Sequence, residues 1–101
     1  MSSPTKLSPA EIQASLVQLS GWMLTDGKLH REYQFKNFVE AFGFMASAAL
    51  EAEKMNHHPE WFNVWRHVKV DLHTHAVGGV TILDFELAQK LESLAKNLRC
   101  T

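Results

Sequence analysis

The sequence predicts an α+β fold: a two-layer α-β-β-α-β-β-α domain whose four-stranded antiparallel sheet has its helices packed on one face. Three observations predict it. Trp22–Thr25 and Lys28–Phe35 flank Asp26-Gly27, a two-residue link in which both positions tolerate positive φ, the strongest short-range hairpin signal. A second strand-like pair follows at Phe62–Trp65 and Val68–His75. The runs from Phe38 to about Met55 and from Leu83 to Leu98 carry apolar residues at helical spacing. Two hairpins separated and flanked by helices pair into one sheet and leave the helices to form the second layer.

Taken in order, residues 1–7 read as a flexible start. Ser8 is placed to cap a helix, Pro9 suits its first position and Glu11 its third. Ile12, Leu16 and Leu19 carry the helix to about Leu19, and Ser20-Gly21 stops it. In the strand after Asp26-Gly27, Leu29, Arg31, Tyr33 and Phe35 share a face. Asn37 caps the next helix, with Glu40 three residues on. Its stripe is Phe38, Phe42, Met45, Ala49 and Ala52, widened by Ala41, Phe44, Ala48 and Met55. So broad an arc predicts burial on two sides, by the sheet and by a partner subunit. Pro59 disfavours helical geometry at His58, so the helix ends around Met55 to His57. The second hairpin is expected to turn at Arg66-His67. Val68, Val70 and Leu72 then face the core, and Lys69, Asp71, His73 and His75 the other side. Gly78-Gly79 marks a loop, and Thr81 opens the last helix with Asp84 at its third position. Leu83, Leu87, Leu91, Leu94 and Leu98 form a helix–helix seam, within the domain or between subunits.

The chain of 101 residues fits one domain spanning 1–101, and 46% hydrophobic with 21% charged residues is ordinary for a soluble globular protein. A net charge of -1 without a basic block excludes nucleic acid as a primary ligand. No apolar run approaches the roughly 18 residues of a membrane span. The first residues lack the apolar segment of a signal peptide, and the one cysteine, Cys100, allows no internal disulfide, so the expected compartment is the cytoplasm.

Chemistry concentrates in the 6 histidines. His57 and His58 are adjacent at a helix C-terminus, where the macrodipole favours imidazolium and hence a general acid. Consecutive side chains diverge, so the two rings take different tasks. Three readings compete. His73 and His75 with His57 or His58 give metal-ligand numbers, but there is no second cysteine and no His-Glu-x-x-His pattern, so no metal is expected. Solvated surface histidines are the better reading for His30 and His67. The third reading is a metal-free acid–base site for a small organic substrate, with Trp61 or Trp65 as a planar wall.

These residues resemble the pterin-4a-carbinolamine dehydratase family. Its signature is met by Glu53, His57, His58, Pro59, Trp65, His75 and Asp84 at the family's spacings, and the similarity runs from about Trp22 to Leu91. The resemblance implies the same fold. It also implies a hydro-lyase that converts 4a-hydroxytetrahydropterin to quinonoid dihydropterin in tetrahydropterin recycling, with no cofactor because the pterin is the substrate. His57, His58 and His75 would be the acid–base set. Asn56, His73, Thr74 and Ala76 fall in the substrate-contact segments, with Glu53, Pro59 and Asp84 in support. Animal members often have Glu where this chain has Ala76, and a small residue is common at His73. The resemblance further implies a homodimer or homotetramer. The alternative function is a binding module, because some animal members serve as dimerisation cofactors for a homeodomain transcription factor.

Overall fold

The computed structural model describes residues 4–98, and its layout is the predicted α+β one. The elements are α1 (Pro9–Leu16), β1 (Met23–Thr25), β2 (Lys28–Gln34), α2 (Phe38–Met55), β3 (Glu60–Val64), β4 (His67–Leu72), a 3-10 turn (His75–Val77) and α3 (Ile82–Asn97). The antiparallel sheet runs β1-β2-β4-β3. Its central pair, β2 and β4, joins the two hairpins in a register from Leu29↔Leu72 to Gln34↔His67.

Local chemistry sets the ends of these elements. Ser8 and Glu11 close a full capping box on α1, and Thr81 and Asp84 close another on α3. Asp26 and Gly27 both take positive φ, 53° and 77°, and so make the first hairpin turn. Several boundaries differ from expectation. Helix α1 ends at Leu16, and Leu19 is buried from the turns that follow it. The second hairpin turns at Trp65-Arg66, one residue earlier than expected, because Val64 pairs with His67 and Trp65 accepts a left-handed φ of 52°. Its strands are shifted as well: β3 starts at Glu60 rather than Phe62, and β4 ends at Leu72 rather than His75, so His73 and His75 lie beyond the strand, His75 in the 3-10 turn before Gly78. Within the start expected to be flexible, Leu7 is tied down. Its N–H donates to Val80 O at 2.9 Å, and its side chain packs on the core. Cys100 lies outside the described residues.

The core lies between the sheet and α2, α3 and α1. Leu29, Tyr33, Val68, Val70 and Leu72 from the sheet meet Ala41, Phe44, Ala48, Leu87 and Leu91 from the helices, all essentially inaccessible. Phe44 stacks near Tyr33 and Phe35, with ring centroids 5.0 and 4.9 Å apart. This corrects the reading of α2. The inner stripe is Ala41, Phe44, Ala48 and Ala52, whereas Phe38, Phe42 and Ala49 face outward. Position 44 wins because its ring completes an aromatic cluster; truncating such a buried phenylalanine typically costs about 3–5 kcal/mol. The leucine seam of α3 packs inside the domain, with Leu87 and Leu91 fully buried. Among the described residues no helix is long and apolar enough to cross a membrane.

Candidate active site

Helix α2 delivers the first two imidazoles through a Schellman ending. Asn56 sits in the left-handed region (φ 51°, ψ 43°), Asn56 N–H bonds to Glu53 O, and His57 N–H bonds to Ala52 O, both at 3.1 Å. The chain reverses there, and the two rings part as expected. His57 turns inward and is 8% exposed. His58 stays in solvent, where its Nε2 lies 2.9 Å from Glu53 Oε1.

The inward ring meets the start of α3. His57 Nε2 is 2.5 Å from Oδ1 of Asp84, a carboxylate with no solvent exposure. The other oxygen, Oδ2, accepts from the Thr74 hydroxyl at 2.9 Å and from Thr81 N–H at 2.8 Å. Thr81 Oγ1 in turn lies 2.8 Å from Thr74 Oγ1 and accepts from Leu83 N–H at 3.2 Å. Asp84 thus both caps α3 and orients His57. A carboxylate fixed on Nε2 selects the tautomer and leaves Nδ1 as the nitrogen free for other work.

The third segment follows β4. Thr74 N–H donates to Gly79 O at 2.8 Å and Gly79 N–H returns to Thr74 O at 3.4 Å, pinching off the loop that carries the 3-10 turn. His75 at the head of this turn is exposed, and its ring centroid is 4.1 Å from that of His73. Both approach Glu60 at the start of β3: Oε2 lies 3.4 Å from His73 Nε2 and 3.8 Å from His75 Nε2. Oε1 of the same carboxylate accepts from Lys28 Nζ at 2.6 Å. That bond holds the Glu60 carboxyl below, and the Lys28 ammonium above, its usual range.

These segments enclose a cavity of about 420 Å³, within the range of small-molecule sites. Asn56, His57, His58, Pro59, His73, Thr74, His75 and Ala76 all line it, together with Glu60, Leu83 and Pro4. A wider groove of about 560 Å³ beside Leu50 and Leu94 has no histidine. Two expected residues are not brought in. Trp61 is half-buried against the core, and Trp65 sits in the far hairpin turn beside His67. Trp65 lies five positions along the chain from Glu60, about 16 Å, and Trp61 is taken up by the core, so neither indole walls this cavity. Glu53 reaches the site only through His58.

Sequence reasoning missed Glu60, Leu83 and the role of Asn56 as terminator. Asn at a helix end was the available signal for the last. His30 is more than a solvated histidine: its Nδ1 is 2.8 Å from Asp71 and its Nε2 2.8 Å from Glu32. Burial works against its charge, but these two carboxylates outweigh burial and raise its pKa.

Fold and site together define a small α+β domain with a carboxylate-oriented, histidine-lined cavity. The sequence profile described as pterin 4 alpha carbinolamine dehydratase matches residues 5–94. A protein of Solibacter usitatus is 59% identical over 91 residues, covering 90% of this chain and 96% of that one. One of Rhizobium johnstonii is 53% identical over 92 residues, covering 89% and 91%. Both bear the provisional name pterin-4-alpha-carbinolamine dehydratase. A crystal structure from Brucella melitensis, described as a transcriptional coactivator/pterin dehydratase, superposes with a TM-score of 0.87 at 47% identity, covering 90% of this chain and 99% of that one. The chain belongs to the pterin 4 alpha carbinolamine dehydratase family.

Proposed function

We propose that this protein is a hydro-lyase that dehydrates 4a-hydroxytetrahydropterins to quinonoid dihydropterins by histidine acid–base catalysis, in tetrahydropterin recycling. The observation that carries the reading is the convergence of His57, oriented by Asp84, with His58 and His75 on one cavity. The reaction breaks the C4a–O bond and forms C4a=N5. The departing hydroxyl takes a proton and leaves as water; N5 gives one up. The two transfers balance, so the step needs no redox partner. His57, held against a carboxylate, suits the proton donor to the hydroxyl, with the exposed His58 lining the same cavity. His75, on another segment of the lining and open to solvent, suits the acceptor for N5–H. Asn56, Thr74 and Ala76 bring backbone groups to the pterin edge.

The test is stopped-flow decay of enzymatically generated 4a-hydroxytetrahydropterin. The protein is expected to accelerate the decay, and His57→Ala to lose about 10²–10⁴ of that acceleration. No acceleration by the unaltered chain sinks the reading.

The same reading includes self-association through α2. Phe38, Val39, Phe42 and Leu50 are 50–77% exposed on its outer face, a strip too apolar for solvent alone. A second copy of the chain is the occupant we assign, in a homodimer or homotetramer. Phe42→Glu is expected to lower the mass measured by sedimentation equilibrium; an unchanged mass removes α2 from the interface. The binding-module reading draws on this same face and on the description of the Brucella melitensis protein as a coactivator. An assembled protein without dehydratase activity would favour it.

A further inference from the structure

We propose that Glu60, His73 and His75 form a binding site for a first-row transition-metal dication of the Zn²⁺ class, and that filling it silences the acid–base cavity. The silencing rests on the dehydratase reading above; the binding does not. Each of the three residues offers one ligand atom, and the three atoms lie within 4.8 Å of one another. Two ligands bound at about 2.0–2.1 Å to a tetrahedral ion are about 3.4 Å apart. The distances from Glu60 Oε2 to the imidazoles, 3.4 Å to His73 and 3.8 Å to His75, are already close to such edges. Closing the trio on an ion needs only small side-chain rotations, because His75 is exposed and Glu60 half-open.

The donor set also selects the ion. Two imidazoles and one carboxylate suit Zn²⁺, Co²⁺, Ni²⁺ or Cu²⁺; Mg²⁺ and Ca²⁺ demand oxygen ligands throughout. Lys28 occupies Oε1 and leaves Oε2 to the ion. It thereby orients the carboxylate as a neighbouring group orients a metal ligand, while its positive charge tempers affinity. All three residues line the cavity, from which water or an anionic group would complete the shell.

The trio explains a feature the dehydration does not use. His73 is mostly buried beside His75, yet the reaction balances without it. An ion bound here takes the lone pair of His75 and places a charge in the substrate's space. Dehydration is then inhibited by the metal rather than assisted.

The experiment uses untagged, chelator-stripped protein at neutral pH. Co²⁺ is titrated while the visible d–d absorption is followed, and Zn²⁺ is then added as competitor. One Co²⁺ per chain is expected, with the intense bands of a tetrahedral site that Zn²⁺ abolishes. In His73→Ser the affinity is expected to fall at least about tenfold; Glu60→Gln serves as a second variant, and circular dichroism verifies that both are folded. No saturable Co²⁺ binding by the unaltered chain overturns the proposal, as does equal affinity in both variants. A separate arm repeats the dehydration assay with Zn²⁺. Inhibition that follows the binding curve supports silencing, and unchanged turnover at saturating Zn²⁺ overturns it. If the chain fails to dehydrate the pterin at all, the function fails while the cobalt spectrum still decides the metal site.

Discussion

Helix α3 carries two carboxylate hubs eight residues apart, about 12 Å along its axis. Asp84 gathers His57, Thr74 and the Thr81 amide. Through Oε1 alone, Glu92 gathers Trp22 Nε1 at 2.9 Å, Arg31 Nε at 3.0 Å and the Tyr33 hydroxyl at 2.6 Å. The Arg31 guanidinium also lies 4.3 Å over the Tyr33 ring. Both hubs tie α3 to distant parts of the chain. They differ in the cation. Arginine keeps its charge at every relevant pH, so the Glu92 hub can only hold structure together. Histidine exchanges a proton near neutrality, and His57 borders a cavity. A buried carboxylate therefore belongs to chemistry or to architecture according to what its partner can do.

The largest expected effect breaks or confirms this contrast. Asp84→Asn preserves the shape but not the charge, and should cut the dehydration rate by between about tenfold and 10⁴-fold, the range for residues that orient a catalytic group. Full activity in a less stable Asp84→Asn protein would reduce Asp84 to a helix cap and erase the contrast. Next in size, Glu92→Ala removes the acceptor shared by the Arg31 guanidinium, the Tyr33 hydroxyl and the Trp22 indole N–H. It should lower unfolding free energy in urea by about 2–4 kcal/mol, with the per-molecule rate of the folded fraction unchanged. A large rate loss would show that the two hubs communicate.

A smaller change sharpens the same point from the turn before β1. Gly21 has φ 90°, and a Cβ there would stand 2.7 Å from Arg31 Nε. Gly21→Ala should therefore cost about 1–3 kcal/mol through strain and a displaced Arg31, again sparing turnover. The smallest effect concerns His30, an imidazole between carboxylates on the sheet's open face, with no cavity. Its folded pKa is raised, so its contribution to stability is complete below the unfolded value of about 6.5 and fades as pH rises through the folded one. Urea midpoints measured from pH 6 to 9 should decline more steeply for the unaltered protein than for His30→Gln. Parallel profiles would remove the linkage.

Much of this was legible because it is local. Asp26-Gly27, both capping boxes and the end of α2 before Pro59 depend on residues within a turn of one another. Even Asp84 could be placed at the third position of its helix from sequence. That its free oxygen would reach His57, 27 residues away, depended on the packing of α2 on α3. The stripe of α2 was misread for a like reason. Alanine, methionine and phenylalanine surround that helix, and only contact with Tyr33 and Phe35 decides that Phe44 is inside and Phe42 outside. Glu60 stood outside the expected strand, which began at Phe62, until the register Glu60↔Asp71 set it beside the segment after β4. The indoles were credited to the site by nearness in sequence, but Trp61 packs against the core and β3 carries Trp65 away along the sheet.

The Asp84 cap has a kinetic consequence. Its bond to His57 closes a loop containing the whole second hairpin, so the site exists only once α3 has docked. Opening that frees the first turn of α3 while the sheet stays paired dismantles the proposed acid–base constellation and uncaps a helix in a single event. On warming, loss of activity should precede loss of the sheet, and amide protons of Asp84 and its neighbours should exchange faster than those of β2 and β4.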